Sequence, residues 1–321
     1  MAMMPQALTA ALEQITDAYD GAGLERDAKT ISENYRMRTG KGERLLTKER
    51  EAAAYAASRM PATFAAARAA LEEALAAAPC EAHTLLDCGA GTGAASWAAQ
   101  ELLNLDAITC LEREAAMRSV GSRLMAQGGG ALPDARWENW DVTEDKPLPQ
   151  ADLVIEGYML GELREELRLA AARRLFAAAG KMLVLVEPGT PQGYANLAAV
   201  RADLVSLGAH VAAPCPSGSA CCPMREGDWC HFSVRVQRTK LHKALKGGDA
   251  PYEDEKYAYL ALTKEPPAAP CAARVLRHPL IAPGKITLTL CSGGEKNMRA
   301  VTKKDPLWKR ARKISAGERL D

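Results

Sequence analysis

Hydrophobic positions divide the chain into an amino-terminal helical part and a longer part in which strands and helices alternate. Up to about residue 80 the sequence is rich in alanine, which favours helix. Residues 49–60 have a helical pattern, Pro61 is suited to open a second helix as its first residue, and Pro79 ends that helix. The basic, glycine-containing segment 34–44 predicts a connector. The pattern therefore predicts a helical region over residues 1–80.

From residue 84 onward, short apolar runs alternate with helical stretches, which is typical of a doubly wound parallel sheet. The predicted helices lie near 94–104, 114–127, 162–179 and 193–207. The predicted strands are 84–88, 107–111, 135–138, 153–156, 182–187, 231–237 and 256–263. Seven strands predict an α/β, Rossmann-like sheet in a domain spanning 81–268. The late pair of strands is similar to that of methyltransferase sheets, whose last strand runs antiparallel.

The carboxyl-terminal segment 269–321 predicts a small, basic, β-rich extension with strands near 274–279 and 285–291. Residues 271–321 carry twelve Lys and Arg against four Asp and Glu, a net charge of +8. Because the whole chain has a net charge of +1, the first 270 residues carry −7. A basic extension on an acidic body favours a polyanionic partner such as RNA, although a solvated surface gives the same composition.

Bulk composition favours a globular protein, since 48% of the 321 residues are hydrophobic and 25% are charged. No stretch approaches the roughly 20 apolar residues of a membrane span, and the start of the chain lacks the features of a signal peptide. We therefore expect no membrane association and a cytoplasmic location. Thiols are reduced there, so disulfides are a poor explanation for the nine cysteines.

A glycine-rich turn follows the first predicted strand and opens a helix. Its pattern, Asp-x-Gly-x-Gly-x-Gly, is formed by Asp87, Gly89, Gly91 and Gly93. Glycines let the backbone pass close to a ligand, and the helix N-terminus supplies N–H donors. A dinucleotide-binding site has a similar turn, so the glycines alone do not decide between cofactors.

Two further acids favour a nucleoside-containing methyl donor. Glu112 ends the next predicted strand, where a carboxylate can accept both ribose hydroxyls. Asp141 lies where such enzymes often hold the adenine amino group. Over residues 84–265 the chain resembles the class I S-adenosylmethionine-dependent methyltransferases, and S-adenosyl-L-methionine is the expected cofactor. An NAD site and a degenerate site that binds nothing are the alternatives.

The sequence offers no evident catalytic group for methyl transfer. After the fourth strand it reads Glu156-Gly-Tyr-Met-Leu-Gly-Glu162, without the Asp/Asn-Pro-Pro-Tyr/Phe motif of amino-directed methyltransferases. The Pro-Cys215 pair imitates a cytosine-C5 motif but comes after the fifth strand and its helix. Glu156 and Tyr158 either line the cofactor pocket or pack at the edge of the core.

A cysteine loop spans 214–231, a segment rich in Pro and Gly that has little apolar surface to bury. Thiols in such a loop indicate metal ligation, by zinc or by an iron–sulfur cluster. The spacing contains no Cys-x-x-Cys pair, which favours the cluster. The repeated Cys-Pro unit favours Cys222 over its neighbour Cys221. The proposed ligands are Cys215, Cys222, Cys230 and the distant Cys291, while Cys80, Cys88, Cys110 and Cys271 are interpreted as packing or surface thiols.

Several segments together resemble the methyltransferase-like small-ribosomal-subunit assembly proteins of bacteria and mitochondria. These segments are 55–63, the Asp87 turn, Glu187-Pro-Gly-Thr-Pro-Gln-Gly193, Asp228-Trp-Cys-His-Phe232 and 285–291. The resemblance implies a four-iron, four-sulfur (4Fe–4S) cluster on the four cysteines named above. It also implies binding to the small ribosomal subunit and its rRNA, and we expect a monomer away from the ribosome.

Three hypotheses follow. The first is an RNA-binding assembly factor of the small ribosomal subunit, the second an active rRNA methyltransferase, and the third a small-molecule methyltransferase with a structural zinc. The third leaves the basic extension unexplained. Under the first, the expected phosphate contacts are Lys296, Arg299, Lys303, Lys304, Lys309, Arg310, Arg312 and Lys313.

Overall fold

The computed structural model describes residues 3–38, 46–144, 146–218, 222–224 and 227–320. An α/β, Rossmann-like methyltransferase fold follows three amino-terminal helices. The helices are α1 (Gln6–Thr16), α2 (Gly21–Arg38), α3 (Glu49–Ala77), α4 (Ala94–Leu102), α5 (Ala115–Met125), α6 (Glu165–Ala178), α7 (Pro191–Ser206), α8 (Lys240–Lys246) and α9 (Trp308–Ala311), with a 3₁₀ turn at Leu160–Glu162.

The strands form two sheets. The main sheet contains β1 (Thr84–Cys88), β2 (Ala107–Glu112), β3 (Arg136–Asn139), β4 (Ala151–Gly157), β5 (Ala179–Pro188), β6 (His210–Ala213), β7 (Phe232–Gln237) and β8 (Tyr252–Thr263). The extension contains β9 (Ala273–Val275), β10 (Leu280–Ala282), β11 (Lys285–Ser292), β12 (Glu295–Thr302) and β13 (Arg319–Leu320).

The main sheet has the strand order β3-β2-β1-β4-β5-β8-β6, and β7 also pairs with β8. Strands β1 to β5 pair in parallel, whereas β8 runs antiparallel to β5, β6 and β7. The late antiparallel strand confirms the expected sheet. The four-residue strand β6 was not predicted, because it follows the end of α7 after a short turn and is too short to give a periodic pattern.

Helix α3 corrects the prediction of two helices that meet at Pro61. It is one helix of 29 residues with Pro61 inside it. A proline removes one N–H donor and normally kinks or breaks a helix. Here the helix is buried over most of its length, with Met60 and Phe64 completely enclosed, so packing outweighs the missing bond. The predicted connector 34–44 is helical up to Arg38, and its remainder lies outside the described residues.

Helix α3 shares its hydrophobic core with one face of the main sheet. Its buried alanines pack in one cluster with α4, α5 and residues such as Leu85 and Val184. Helices α6 and α7 cover the other face through a second cluster that includes Leu175 and Leu204. Covering both faces leaves the carboxyl ends of the parallel strands as the natural place for a site. The domain boundaries near residues 80 and 268 stay predictions.

No described helix is long and apolar enough to cross a membrane. The longest, α3, contains charged residues along its length, among them Arg59, Arg68 and Glu72.

The basic extension forms a five-stranded sheet with a core of its own. Ile286, Leu288 and Val301 are fully buried there, and Trp308 of α9 packs against them. Two strands were predicted, but β10, β12 and β13 were not. Strand β12 has no alternating pattern because residues 295–300 are all exposed. The Gly293-Gly294 turn that joins β12 to β11, with positive φ at both glycines, is the signal that identifies this hairpin.

Candidate cofactor pocket and cysteine site

A cavity of about 730 Å³, including its open mouth, lies at the carboxyl ends of β1, β2 and β4. Three of the predicted cofactor residues line it: Gly89, Gly91 and Glu112. The remaining wall is formed by Leu46, Tyr55, Arg113, Glu114, Met117, Trp140, Val142, Gly157, Tyr158, Met159, Glu162 and Leu163. A smaller adjoining cavity reaches Asp87 and again includes Gly89 and Gly91.

The glycine turn brings its backbone against the carboxylate of Glu112. Gly89, Gly91 and Gly93 have φ angles of 68°, 57° and 86°, a region that only glycine adopts without strain. The amide of Gly91 donates to Glu112 Oε2 at 2.9 Å, and the amide of Glu114 donates to Oε1 at 2.8 Å. Burial raises the pKa of Glu112. This fixed carboxylate faces the cavity and can accept bonds from hydroxyl groups.

Asp87 ties the glycine turn to the following helix. Its Oδ2 accepts a bond from the Ser96 hydroxyl at 2.7 Å and from the Ser96 amide at 3.1 Å. Burial raises the pKa of Asp87 to about 6. The side chain therefore supports the turn, and a direct contact with a cofactor stays a prediction.

Asp141 lies beside the cavity but does not line it. Its Oδ1 accepts from the Thr143 amide at 2.9 Å and from the Thr143 hydroxyl at 2.7 Å, which shapes the loop after β3. The neighbouring apolar side chains of Trp140 and Val142 face the cavity instead. A role for Asp141 in holding an adenine stays a prediction.

Glu156 is completely buried beneath the cavity rather than exposed in it. Its Oε1 accepts from the amides of Met159 and Leu160 at 2.5 and 3.1 Å. Within the described residues, its Oε2 has no hydrogen-bond partner. Burial and then the nearby charge of Glu187 raise the pKa of Glu156 well above its usual range. The predicted cofactor residue Glu156 thus holds the turn that follows β4.

Sequence reasoning missed Glu162, which lies on the 3₁₀ turn and lines the cavity. Burial and then the charge of Glu112 raise the pKa of Glu162 to about 8. Glu187, beneath the same turn, accepts from the Gly161 amide at 3.1 Å, and burial raises its pKa to about 7. The available signal was the recurrence of Glu at the ends of β2, β4 and β5. Because burial raises these pKa values, the two acids offer hydrogen-bonding groups at the cavity and beneath it, and they carry only part of their negative charge near neutral pH.

Three of the four predicted cysteine ligands line a second cavity of about 380 Å³, on the α7 side of the main sheet. They are Cys215, Cys222 and Cys230. Cys215 and Cys222 are hydrogen-bonded to each other. The fourth, Cys291 of β11, is buried and lies within electrostatic reach of Cys222 and Cys230. The competing Cys221 lies outside the described residues.

Hydrogen-bond donors from α7 surround these sulfurs. The buried guanidinium of Arg201 donates to Cys215 Sγ and to the Ser217 carbonyl, both at 3.0 Å. The Tyr194 hydroxyl donates to Cys222. The bond from Cys215, followed by that from Tyr194, lowers the pKa of Cys222 to about 5. Residues 194 and 201 are two helical turns apart, so the sequence places them on one face of α7.

The donor chemistry at the cysteine site suits a sulfur-ligated, negatively charged centre. Throughout the described ranges, no three His, Cys, Asp or Glu side chains form a group able to hold a metal ion. The second cavity nevertheless has three thiols, no carboxylate and a buried cation in its wall. Thiolates are the ligands that zinc and iron–sulfur centres prefer, so the residues fit either group.

Polar contacts join the cysteine loop to the basic extension without any metal. Asp228 of the loop pairs with Arg277 at 2.5 Å and with Lys296. Arg274 of β9 is 1% exposed and donates to the Pro214 carbonyl at 2.9 Å. Ligands from the loop and from β11 are therefore held on adjoining surfaces.

Basic residues of the extension differ in how far they are available to a partner. Lys296 is engaged by Asp228, Arg299 pairs with Asp305 at 3.5 Å, and Arg310 pairs with Glu318 at 3.0 Å. Five of the eight predicted phosphate contacts remain as an exposed group, here called the basic cluster: Lys303, Lys304, Lys309, Arg312 and Lys313.

The sequence of the chain is similar to a family of mitochondrial ribosomal proteins and to one human relative. The family model described as mitochondrial small ribosomal subunit Rsm22 matches residues 49–321. The human protein named ribosome assembly protein METTL17, mitochondrial, is 29% identical over 256 residues, which cover 74% of this chain and 54% of that protein. The chain thus spans about half the length of this curated relative.

Solved methyltransferase structures are also similar to the chain. Magnesium protoporphyrin IX methyltransferase from Synechocystis PCC 6803 is 13% identical, with 74% of this chain and 97% of that chain covered and a TM-score of 0.39. A TehB-like methyltransferase from Corynebacterium glutamicum is 17% identical, with 62% and 88% covered and a TM-score of 0.38.

Proposed function

Because the chain belongs to the Rsm22 family of mitochondrial small ribosomal subunit proteins, we propose that it is an RNA-binding assembly factor of the small ribosomal subunit. Its human relative is named as a ribosome assembly protein, which supports this proposal. The observation that carries it is that Cys291 of the basic extension lies within electrostatic reach of Cys222 and Cys230 of the cysteine loop. A cytoplasmic location stays a prediction, since that relative is named as mitochondrial.

The proposal includes a methyltransferase-like domain that binds S-adenosyl-L-methionine. The fixed carboxylate of Glu112 suits the ribose hydroxyls, and the apolar wall with Trp140 and Met117 suits a nucleobase. The carboxyls of Glu112 and Glu162 line the same cavity, where burial raises the pKa of both, and they offer hydrogen-bonding groups to a bound ligand. No residue is assigned a catalytic role.

It also includes a 4Fe–4S cluster held by Cys215, Cys222, Cys230 and Cys291. When bound, the cluster supplies a covalent link between the loop and β11, and so fixes the extension on the core. Arg201 and Tyr194 would donate hydrogen bonds to ligand sulfurs and offset the negative charge of the centre. The basic cluster would then be presented to RNA in a fixed orientation.

Metal analysis tests the cysteine assignment. We expect the protein purified without oxygen to be brown and to contain about four iron and four sulfide per chain. Cys222→Ser should lose most of both, because it removes a ligand that the Tyr194 hydroxyl and the Cys215 thiol hold in place. Cys80→Ser, a half-buried thiol outside the site, is the control and should keep the cluster. A colourless wild-type protein with one zinc would contradict the assignment. Loss of iron and sulfide in Cys221→Ser, and not in Cys222→Ser, would make residue 221 the ligand.

Co-sedimentation with ribosomal particles tests the function itself. We expect the wild-type protein to migrate with immature small subunits in a density gradient. Cys222→Ser should migrate mostly free, because the extension then loses its covalent link to the cysteine loop and keeps only weaker polar contacts such as those of Asp228 and Arg274. If the wild-type protein never accompanies small subunits at any stage of assembly, the proposal is wrong. Transfer of labelled methyl groups to those particles would instead favour an rRNA methyltransferase.

A further inference from the structure

Met159 lies directly over the glycine turn. A Cβ built on Gly89 would stand 2.8 Å from Met159 Cβ, 2.9 Å from its Cγ and 2.8 Å from its Sδ. The Cβ of Met159 is fixed by the backbone, so a change of rotamer moves only the outer part of the side chain. The position that a Cβ on Gly89 would take is therefore filled by a side chain of this same protein, at the edge of the cavity that both residues line.

The turn that carries Met159 is built rigidly. Tyr158, the residue before it, has a φ of 67°, which is strained for a non-glycine residue. Its amide donates to the Val186 carbonyl at 2.7 Å. Its hydroxyl donates to Glu255 Oε1 at 3.1 Å, and Arg59 of α3 contacts the same oxygen at 3.4 Å. Glu156 binds the Met159 amide from below, so the turn is held from both sides.

The order of the strands defines which part of a ligand Met159 meets. The cavity runs from the end of β3, with Trp140 and Val142, past Glu112 at the end of β2, to Gly89 and the turn after β4. If Glu112 holds the ribose and the apolar end takes the base, the third part of the ligand points toward Gly89. For S-adenosylmethionine, that part is the methionyl chain.

We propose that Met159 is a specificity-determining residue that occupies the methionyl end of the cofactor pocket. The pocket therefore selects the adenosine part of its ligand and gains little from the amino-acid part. This inference rests on the proposed cofactor site. Glu156, a buried acid at the end of β4, supports the turn that places Met159 there. The thioether of Met159 takes the place of the ligand's own methionyl group.

Calorimetric titration of the full chain with adenosine and with S-adenosylhomocysteine tests the proposal. We expect the wild-type protein to bind the two with similar affinity. Met159→Ala should bind S-adenosylhomocysteine about tenfold or more tightly than wild type, because the methionyl methylenes can then be buried, with adenosine affinity little changed. Met298→Ala, which changes an exposed methionine on β12, is the matched control and should behave as wild type.

Met159→Val shortens the side chain with less loss of packing, and thermal unfolding of each variant checks that it is folded. If the wild-type protein already prefers S-adenosylhomocysteine by tenfold, or if both variants change the two ligands equally, the role of Met159 is wrong while the cofactor site stands. If neither ligand binds any variant, the cofactor site is wrong and the proposal falls with it.

Discussion

Replacing Arg274 by methionine is expected to lower the free energy of unfolding by about 3 kcal/mol and to release the basic extension from the core. Arg274 is 1% exposed, and it joins four separate parts of the chain. Its guanidinium pairs with Glu73 of α3 and donates to the carbonyls of Pro214 and Gly317, at 2.9 and 2.8 Å. Methionine fills much of the same volume but leaves these acceptors without a donor.

Chemical unfolding of the wild-type and Arg274→Met proteins measures the loss, and limited proteolysis detects release of the extension. Arg235→Met is the matched control, because Arg235 makes a two-pronged pair with Asp254 at 2.8 and 2.9 Å while 48% of its side chain is exposed. The Arg235→Met control should lower the free energy of unfolding by less than about 1 kcal/mol. Equal losses in the two variants would mean that the buried contacts of Arg274 contribute no more than a surface pair.

The main sheet was predictable because its strands are apolar runs separated by turn residues and helical stretches. Strand β1 and the glycine turn were placed correctly, and three of the predicted cofactor residues meet at one cavity. Pro61 misled the prediction because a local rule about proline cannot weigh the burial of a whole helix. Strand β12 was missed because it is held by its pairing with β11 and has no apolar face of its own.

Long-range polar contacts are the part of the structure that could not be predicted from the sequence. Nothing near Arg274 in the chain indicates that it is buried, since its partner Glu73 is 201 positions away. Glu156 is a different case, because its partners are local, yet an acid at the end of a strand is expected to face a ligand. Only the three-dimensional turn that places the Met159 amide on its carboxylate identifies it as a supporting group.

The steepest functional effect is expected from removing the charges of the basic cluster. A protein that neutralises phosphates releases counterions, and log affinity falls by about 0.7–0.9 per contact for each unit of log salt. Five contacts predict a slope of about −4, so raising salt from about 50 to 200 mM should weaken RNA binding by roughly 10²–10³. The three basic residues already paired with Asp228, Asp305 and Glu318 should contribute less.

Replacing the five residues by glutamine should therefore weaken binding to small-subunit rRNA by about 100-fold near 100 mM salt and flatten most of the salt dependence. Filter binding over a series of salt concentrations measures both quantities. The control variant removes the same number of exposed positive charges from the rest of the chain: R26Q, K29Q, K240Q, K256Q and K264Q. Because the two variants have the same net charge, a loss confined to the first assigns the interface to the extension. Equal losses in both would mean that RNA responds to the net charge of the protein and that the extension is not the binding surface.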